Sequence, residues 1–273
     1  MLNQSEKAKI FRRLHERDGA FIIPNPYDVG TSKLFAHLGF EALATTSAGF
    51  AFTVGRRDNR VDREGVLKHL ADIATATDLP VSADLGNGFG DAPENVAETI
   101  RMAASTGIVG GSVEDVSSDS DDPIYDFDFA VERVRAAAEA AHSLPFDFTL
   151  TARAENYLVG RTDLADTIKR LQAYAEAGAD VLFAPGLTNK EHIASLVIAV
   201  DRPVNVIAGL QGARLNVAEL SEIGVKRISV GSALSRAALG AFLRAADEMK
   251  THGTFTFADE AVSYLEISDM FKP

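Results

Sequence analysis

The sequence predicts a single (β/α)8 barrel of the TIM type, and three observations carry that expectation. Short apolar runs rich in Val, Ile and Phe alternate with longer stretches of helical period almost from end to end. The runs number eight, and strands alternating with helices in this way indicate parallel βαβ units. The length, 273 residues, suits one barrel of the usual ~250 residues. A doubly wound open sheet is the alternative, and eight successive units favour closure over it.

The strands are expected at 20–24 (AFIIP), 42–46 (ALATT), 80–84 (PVSAD), 110–114 (GGSVE), 148–153 (FTLTAR), 180–185 (DVLFAP), 203–208 (PVNVIA) and 227–231 (RISVG). Between them, APENVAETIRMAASTG, DFAVERVRAAAEAAHS and TDLADTIKRLQAYAEAGA repeat apolar residues at three and four, with Asp, Ser or Thr caps and Gly stops, and read as crossover helices. No linker, repeat or low-complexity tract divides the chain. Residues 1–273 are read as one domain, with 232–273 forming a C-terminal helical extension.

Composition narrows the function. A formal net charge of −12 argues against a partner with a phosphate backbone, which requires a basic patch. The absence of cysteine excludes a disulfide framework, a thiolate zinc site and a cysteine nucleophile. The amino terminus, MLNQSEKAKIFRRLHERDG, is charged throughout, and no run of 18 apolar residues occurs. A soluble, cytoplasmic protein with no membrane or nucleic-acid partner is expected.

Barrel enzymes carry their chemistry at the carboxyl ends of the strands. The polar residues there are Tyr27 and Asp28, Ser47 to Gly49 and Asp58, Asp84 and Asn87, Glu114 and Asp115, Arg153 with Glu155 and Asn156, and Asn205 within the seventh strand. Carboxylates without His or Cys companions suit a hard divalent ion such as Mg²⁺ or Mn²⁺. His15, His37, His69, His142, His192 and His252 all fall in helical or connecting segments and are expected to pack or face solvent.

The stretch SADLGNGFG, Ser82 to Gly90, admits three readings. A dinucleotide loop needs GxGxxG opening a helix, whereas here the glycines run GxGxG and a capping turn follows. A sharp turn explains Gly86, Gly88 and Gly90. It leaves Asp84, a carboxylate ending an apolar strand, without a reason, and a cation beside it would supply one.

PVSADLGNGFG also resembles the third-strand motif of the isocitrate lyase and phosphoenolpyruvate mutase superfamily. NPYDVGTSKLFAHLGFEALATTSAGFA, GRRD, GGSVED, TARAENYL, GADVLFAPG and VKRISVGSALSRAALGAF resemble that superfamily's other segments, in order, over about residues 17 to 245. The resemblance implies that Asp84 binds Mg²⁺ directly, with Asp58 and Glu114 reaching it through water. It implies that the Ser47, Ala48 and Gly49 amides take the substrate carboxylate, that Tyr27 and Asn205 help to line the site, and that Arg153 meets the keto oxygen or the far end of the substrate. The shared intermediate would be a pyruvate enolate. The alternative for Arg153 is a structural ion pair with Glu155, and for Asp58 and Glu114 a solvated loop charge and a capping acid.

Two departures from the family pattern bear on function. Gly86 stands where a second acid is usual, so metal affinity would fall unless Asp115 and water compensate. From Asp115 to Val131 there is no Lys, Arg, His or Cys, whereas the superfamily's lyases carry a Lys-Cys-Gly-His gate and its mutases a lysine. Tyr125 is the conspicuous proton donor in that loop, or else a packing aromatic. The reading that remains is a Mg²⁺-dependent carbon–carbon lyase acting on a small 2-oxo dicarboxylate, with oxaloacetate decarboxylation as its specific reaction. A lyase cleaving a substituted malate-type acid, and a 2-oxo acid binding protein that has lost turnover, are the alternatives.

After the eighth strand, Ala237, Ala238, Leu239, Ala241, Phe242 and Leu243 leave the last long helix apolar on more than one face. Together with the resemblance, this predicts a homo-oligomer, dimer or tetramer, that exchanges the helix between subunits. The alternative is that the terminal segment folds back over its own barrel.

Overall fold

The computed structural model describes residues 2–117, 119, 121–210 and 214–272. All eight expected strands form, each within the predicted span: β1 (Phe21–Ile23), β2 (Leu43–Ala44), β3 (Val81–Asp84), β4 (Gly110–Glu114), β5 (Thr149–Arg153), β6 (Val181–Phe183), β7 (Val204–Ile207) and β8 (Arg227–Ser229). Every ladder is parallel, and the order β1-β8-β7-β6-β5-β4-β3-β2 wraps the sheet into a nearly closed barrel. At the seam the Ala44 amide donates to the Pro24 carbonyl at 3.1 Å. Asn25 fastens the same place: its Nδ2 donates to the Thr45 carbonyl at 3.0 Å, and its Oδ1 accepts from the Val230 and Gly231 amides at 2.8 and 2.9 Å.

The helices are α1 (Gln4–Glu16), α2 (Val29–His37), α3 (Ser47–Thr53), α4 (Arg63–Ala76), α5 (Pro93–Ala104), α6 (Phe127–His142), α7 (Leu164–Glu176), α8 (Lys190–Ala199), α9 (Val217–Glu222), α10 (Ala233–His252) and α11 (Tyr264–Asp269), with a short 3₁₀ turn at Thr256–Glu260. Their starts are set by local chemistry. Asp62 and Asp163 accept from the backbone amides three residues on, and Pro93 opens α5, where its missing amide hydrogen costs nothing. All six histidines lie on helices. Among the described residues no helix is long and apolar enough to cross a membrane.

Helix α1 closes the amino end of the barrel. Ala8, Phe11 and Leu14 pack there against Phe21, Ile23, Ala42 and Val109. Gly110 makes that approach feasible, because a β-carbon on it would meet the Thr149 carbonyl at 2.8 Å and the Phe11 ring at 3.0 Å. The remaining core lies between the strands and α4 to α9, one cluster on the β3 to β5 side and another on the β5 to β8 side.

The extension behaves differently. Of the twenty residues of α10 only Ser235 is buried, while Phe242 and Leu243 are about two-thirds exposed. Ile22, the outward residue of β1, is also exposed. The 3₁₀ turn and α11 bury nothing, so the terminal segment does not fold back to cover the apolar stripe of α10.

Candidate active site

Three consecutive strands each deliver a charged residue at their carboxyl end: Asp84 from β3, Glu114 from β4 and Arg153 from β5. Register places Glu114 directly beside Arg153. The guanidinium occupies the centre, with Nη1 3.1 Å from Asp84 Oδ1, Nη2 3.1 Å from Glu114 Oε2 and Nε 2.7 Å from Glu155 Oε1, and it lies 5.3 Å from the centre of the Phe183 ring. Arg153 thus forms the ion pair with Glu155 that the sequence allowed, and also holds the two rim carboxylates.

Full ionisation of the three carboxylates around one guanidinium would leave an excess of negative charge largely out of water. Burial pushes the Glu114 carboxyl up to about 8, with Arg153 opposing and Glu155, Asp84 and Asp58 adding to the rise. Burial raises Glu155 as well, against the pull of Arg153. For Arg153 burial works against the charge, but Glu155, Glu114 and Asp84 outweigh it and hold its pKa above the ordinary arginine value. The donor set is all oxygen, as a hard divalent cation requires, and the excess charge is of the sign such a cation neutralises. Among the described residues no three His, Cys, Asp or Glu side chains converge to hold a metal by themselves. The arrangement fits a cation taken by Asp84, with other ligands from water.

Asp84 is held by the turn after β2. The Ser47 amide donates to its Oδ2 at 3.0 Å, and its own amide donates to Thr45 Oγ1 at 2.9 Å. Ser47 and Ala48 begin α3 and line a cavity of about 200 Å³ that runs into the barrel. Gly49 is buried behind them, and its amide donates to the cap Thr46 Oγ1 at 3.2 Å. Two of the three amides expected to cradle a carboxylate are thus already engaged within the chain. Tyr27 is packed against Gly49, whose β-carbon would lie 3.0 Å from its own, and burial raises its hydroxyl pKa. Asn205 is 1% exposed on β7 and lines the inner cavity.

Asp58 sits on an exposed loop but lines both the inner cavity and an adjoining one of about 380 Å³ formed with Asp84, Gly86, Asn87 and Glu114. Gly86 adopts φ +53°, a left-handed conformation, and its amide lies only 3.4 Å from Asp84 Oδ1. A β-carbon there would point toward Asn59 Oδ1 at 3.7 Å and Glu114 Oε1 at 3.8 Å, so the position of the missing acid does face the cluster.

Two alternatives left open by the sequence are decided here. Asp115 does not compensate for Gly86, because its carboxylate turns away from the cavity to accept from Tyr174 Oη at 2.7 Å, Arg170 Nη1 at 3.3 Å and the Glu155 amide at 2.8 Å. Tyr125 is a packing aromatic. It is 7% exposed, donates to Asp91 at 2.5 Å and lies under the Arg133 guanidinium at 4.3 Å, and burial pushes its hydroxyl up to about 12. Sequence reasoning overlooked Arg227, which also lines the inner cavity. The alternation in RISVG, which puts Arg227 and Ser229 on one face, was the available signal.

The phosphoenolpyruvate phosphomutase family model matches residues 11–250. The chain belongs to this family. Within the family it is similar to a crystal structure from Burkholderia cenocepacia J2315 described provisionally as a lyase/mutase, with 61% identity over 99% of this chain and 97% of that one and a TM-score of 0.97. It is 27% identical to oxaloacetate decarboxylase 2 of Pseudomonas fluorescens Pf0-1, over 97% of this chain and 92% of that protein. It also superimposes on an oxaloacetate acetylhydrolase with its product oxalate, at 25% identity and a TM-score of 0.86, over 98% of this chain and 94% of that one. The phosphomutase family thus joins relatives with lyase and mutase names, and the resemblance read from the motifs of the chain is the relationship found.

Proposed function

We propose that this phosphomutase-family chain is a Mg²⁺-dependent carbon–carbon lyase on a small 2-oxo dicarboxylate, and that its reaction is the decarboxylation of oxaloacetate. The observation that carries the reading is the partly buried Asp84–Arg153–Glu114 cluster beside a strand-four loop without a basic or thiol side chain. Residues Asp115 to Val131 contain no Lys, Arg, His or Cys, and the hydroxyl of Tyr125 is already bonded to Asp91. Loss of CO₂ asks for no acid at the leaving group, whereas a retro-aldol cleavage must protonate the departing carbanion, and so acidic a loop would repel a phosphonate dianion.

A bound divalent cation would supply Lewis acidity to the 2-oxo and carboxylate oxygens of the substrate. Asp84 would hold it, with Glu114 and Asp58 acting through water. The start of α3 at Ser47 and Ala48 would meet the substrate carboxylate, and Arg153, fixed by Glu155, would orient the group that develops negative charge. The C3–C4 bond breaks, its electron pair passes into the enolate of pyruvate, and a proton from solvent reaches C3. The named activity of the Pseudomonas relative supports the choice of substrate.

The test is a panel of 2-oxo and 2-hydroxy diacids assayed for pyruvate and CO₂, with Mg²⁺ and with a chelator. Equimolar pyruvate and CO₂ from oxaloacetate, lost on chelation and restored by Mg²⁺, is the expected result. An aldehyde or acid co-product from substituted malates without CO₂ would replace it with the malate-type reading. Binding without turnover of any acid would make the chain a 2-oxo acid binding protein.

A further inference from the structure

Beneath the rim cluster the inner cavity continues along the barrel axis. Bulky branched residues usually fill this space in such barrels, but here the small Ala44, Ser82, Ser112 and Ser229 share the lining with Ile23 and Ile207 and leave it open. At about 200 Å³ it far exceeds the ~15 Å³ one water requires.

Among the lining residues farther in is Arg227, the first residue of β8 and 4% exposed. Its Nε donates to Asn205 Oδ1 at 2.9 Å and its Nη2 to Thr151 Oγ1 at 3.0 Å, while its Nη1 is buried without a partner. Both partners are neutral, and among the described residues no carboxylate lies within ion-pair distance. The other arginines held wholly or largely out of water in the barrel are answered: Arg153 by three carboxylates, Arg170 by Asp115 and Asp166, and Arg133 by the Asn87, Gly90 and Asp91 carbonyls. Burial lowers the Arg227 pKa to about 9, and no neighbouring anion opposes the fall. A guanidinium held out of water with a donor to spare is costly unless an anion meets it.

We infer that Arg227, with Asn205, forms a second anion subsite within the barrel that takes the far carboxylate of a diacid whose 2-oxo acid end lies at the rim. The single cavity touches Asp84, Ser47 and Arg153 as well as Arg227, so one small molecule can reach both ends. The inference rests on the diacid reading of the rim site and adds the group that would distinguish a diacid from a monoacid. Asn205 then acts as a positioning residue, since its Oδ1 accepts from Arg227 and its Nδ2 donates to Ser229 Oγ at 3.1 Å.

The experiment is calorimetric titration of the full chain in Mg²⁺ with pyruvate and with 3,3-difluorooxaloacetate, on wild type and Arg227→Gln. Wild type is expected to bind the diacid at least tenfold more tightly, and R227Q to lose that preference while its pyruvate affinity stays the same. An R227Q protein that keeps the preference overturns the subsite, as does one that loses affinity for both ligands equally. Should R227Q fail to fold, wild-type crystals soaked in bromide decide: an anomalous peak beside Arg227 Nη1 supports the subsite and its absence overturns it. Lack of turnover on every diacid would sink the lyase reading while leaving the binding preference, read without catalysis, intact.

Discussion

Replacing Asp84 with alanine separates the chemistry of the rim cluster from its part in the fold. The carboxylate accepts from the Ser47 amide at 3.0 Å and from Arg153 at 3.1 Å, so its removal forfeits two charge-assisted hydrogen bonds, worth about 1.5–3 kcal/mol each. Against that loss stand two compensations. Arg153 keeps Glu114 and Glu155, so no buried cation is stranded. The crowding of negative charge that helps to push Glu114 up to about 8 is also relieved, although burial and Glu155 contribute more to it than Asp84 does. The net expectation is a folded protein less stable by about 2 kcal/mol, or roughly 4–8 °C in Tm for a chain of this size. Mg²⁺ at a hundred times its Kd should add about 2.7 kcal/mol to wild type, which is several degrees, and nothing to Asp84→Ala. Differential scanning calorimetry with and without Mg²⁺, beside the pyruvate assay, reads both quantities. A variant that still gains the wild-type Mg²⁺ increment, or keeps Mg²⁺-dependent turnover, would refute the assignment. One that cannot fold would make Asp84 a structural residue first.

Gly86→Glu restores an acid facing Glu114 and Asn59, but φ +53° costs a residue with a β-carbon about 1–2 kcal/mol. The variant should be slightly less stable and bind Mg²⁺ more tightly by calorimetry, and no gain in a folded variant would mean that another group already fills the role. His15 is held at about 3, chiefly by burial and then by the charge of Arg227. The unfolded histidine takes up a proton as pH falls through 6.5 while the folded one does not. Stability present above pH 6.5 should therefore drain away toward pH 3, at roughly 1.4 kcal/mol per pH unit inside that window. His15→Phe, which keeps the edge contacts with Phe11 and Phe21, should flatten the acid limb of urea midpoints against pH, and an unchanged slope would count against the reading. For assembly, wild type at micromolar concentration should scatter light as a dimer or tetramer, and Phe242→Asp with Leu243→Asp should scatter as a single chain of 29.2 kDa. A wild-type monomer would end the oligomer proposal.

The sequence by itself determined the number, order and type of the strands. Strand burial depends on short apolar runs, and the runs at 80–84 and 110–114 end in Asp84 and Glu114 because a strand meets water where its apolar residues stop. The rim residues were legible for the same reason, as was the absence of a basic or thiol acid from the strand-four loop. Tertiary structure decided where the charges point. Asp115 follows Glu114 in the chain, yet alternation along an extended backbone sends it outward to Tyr174 and Arg170. Tyr125 turned inward because Asp91, distant in sequence, and Arg133, two turns into the following helix, converge on it. Arg227 emerged only with the barrel closed, since its isolation depends on the absence of a carboxylate among neighbours drawn from three other strands, and no local pattern records what another strand fails to provide.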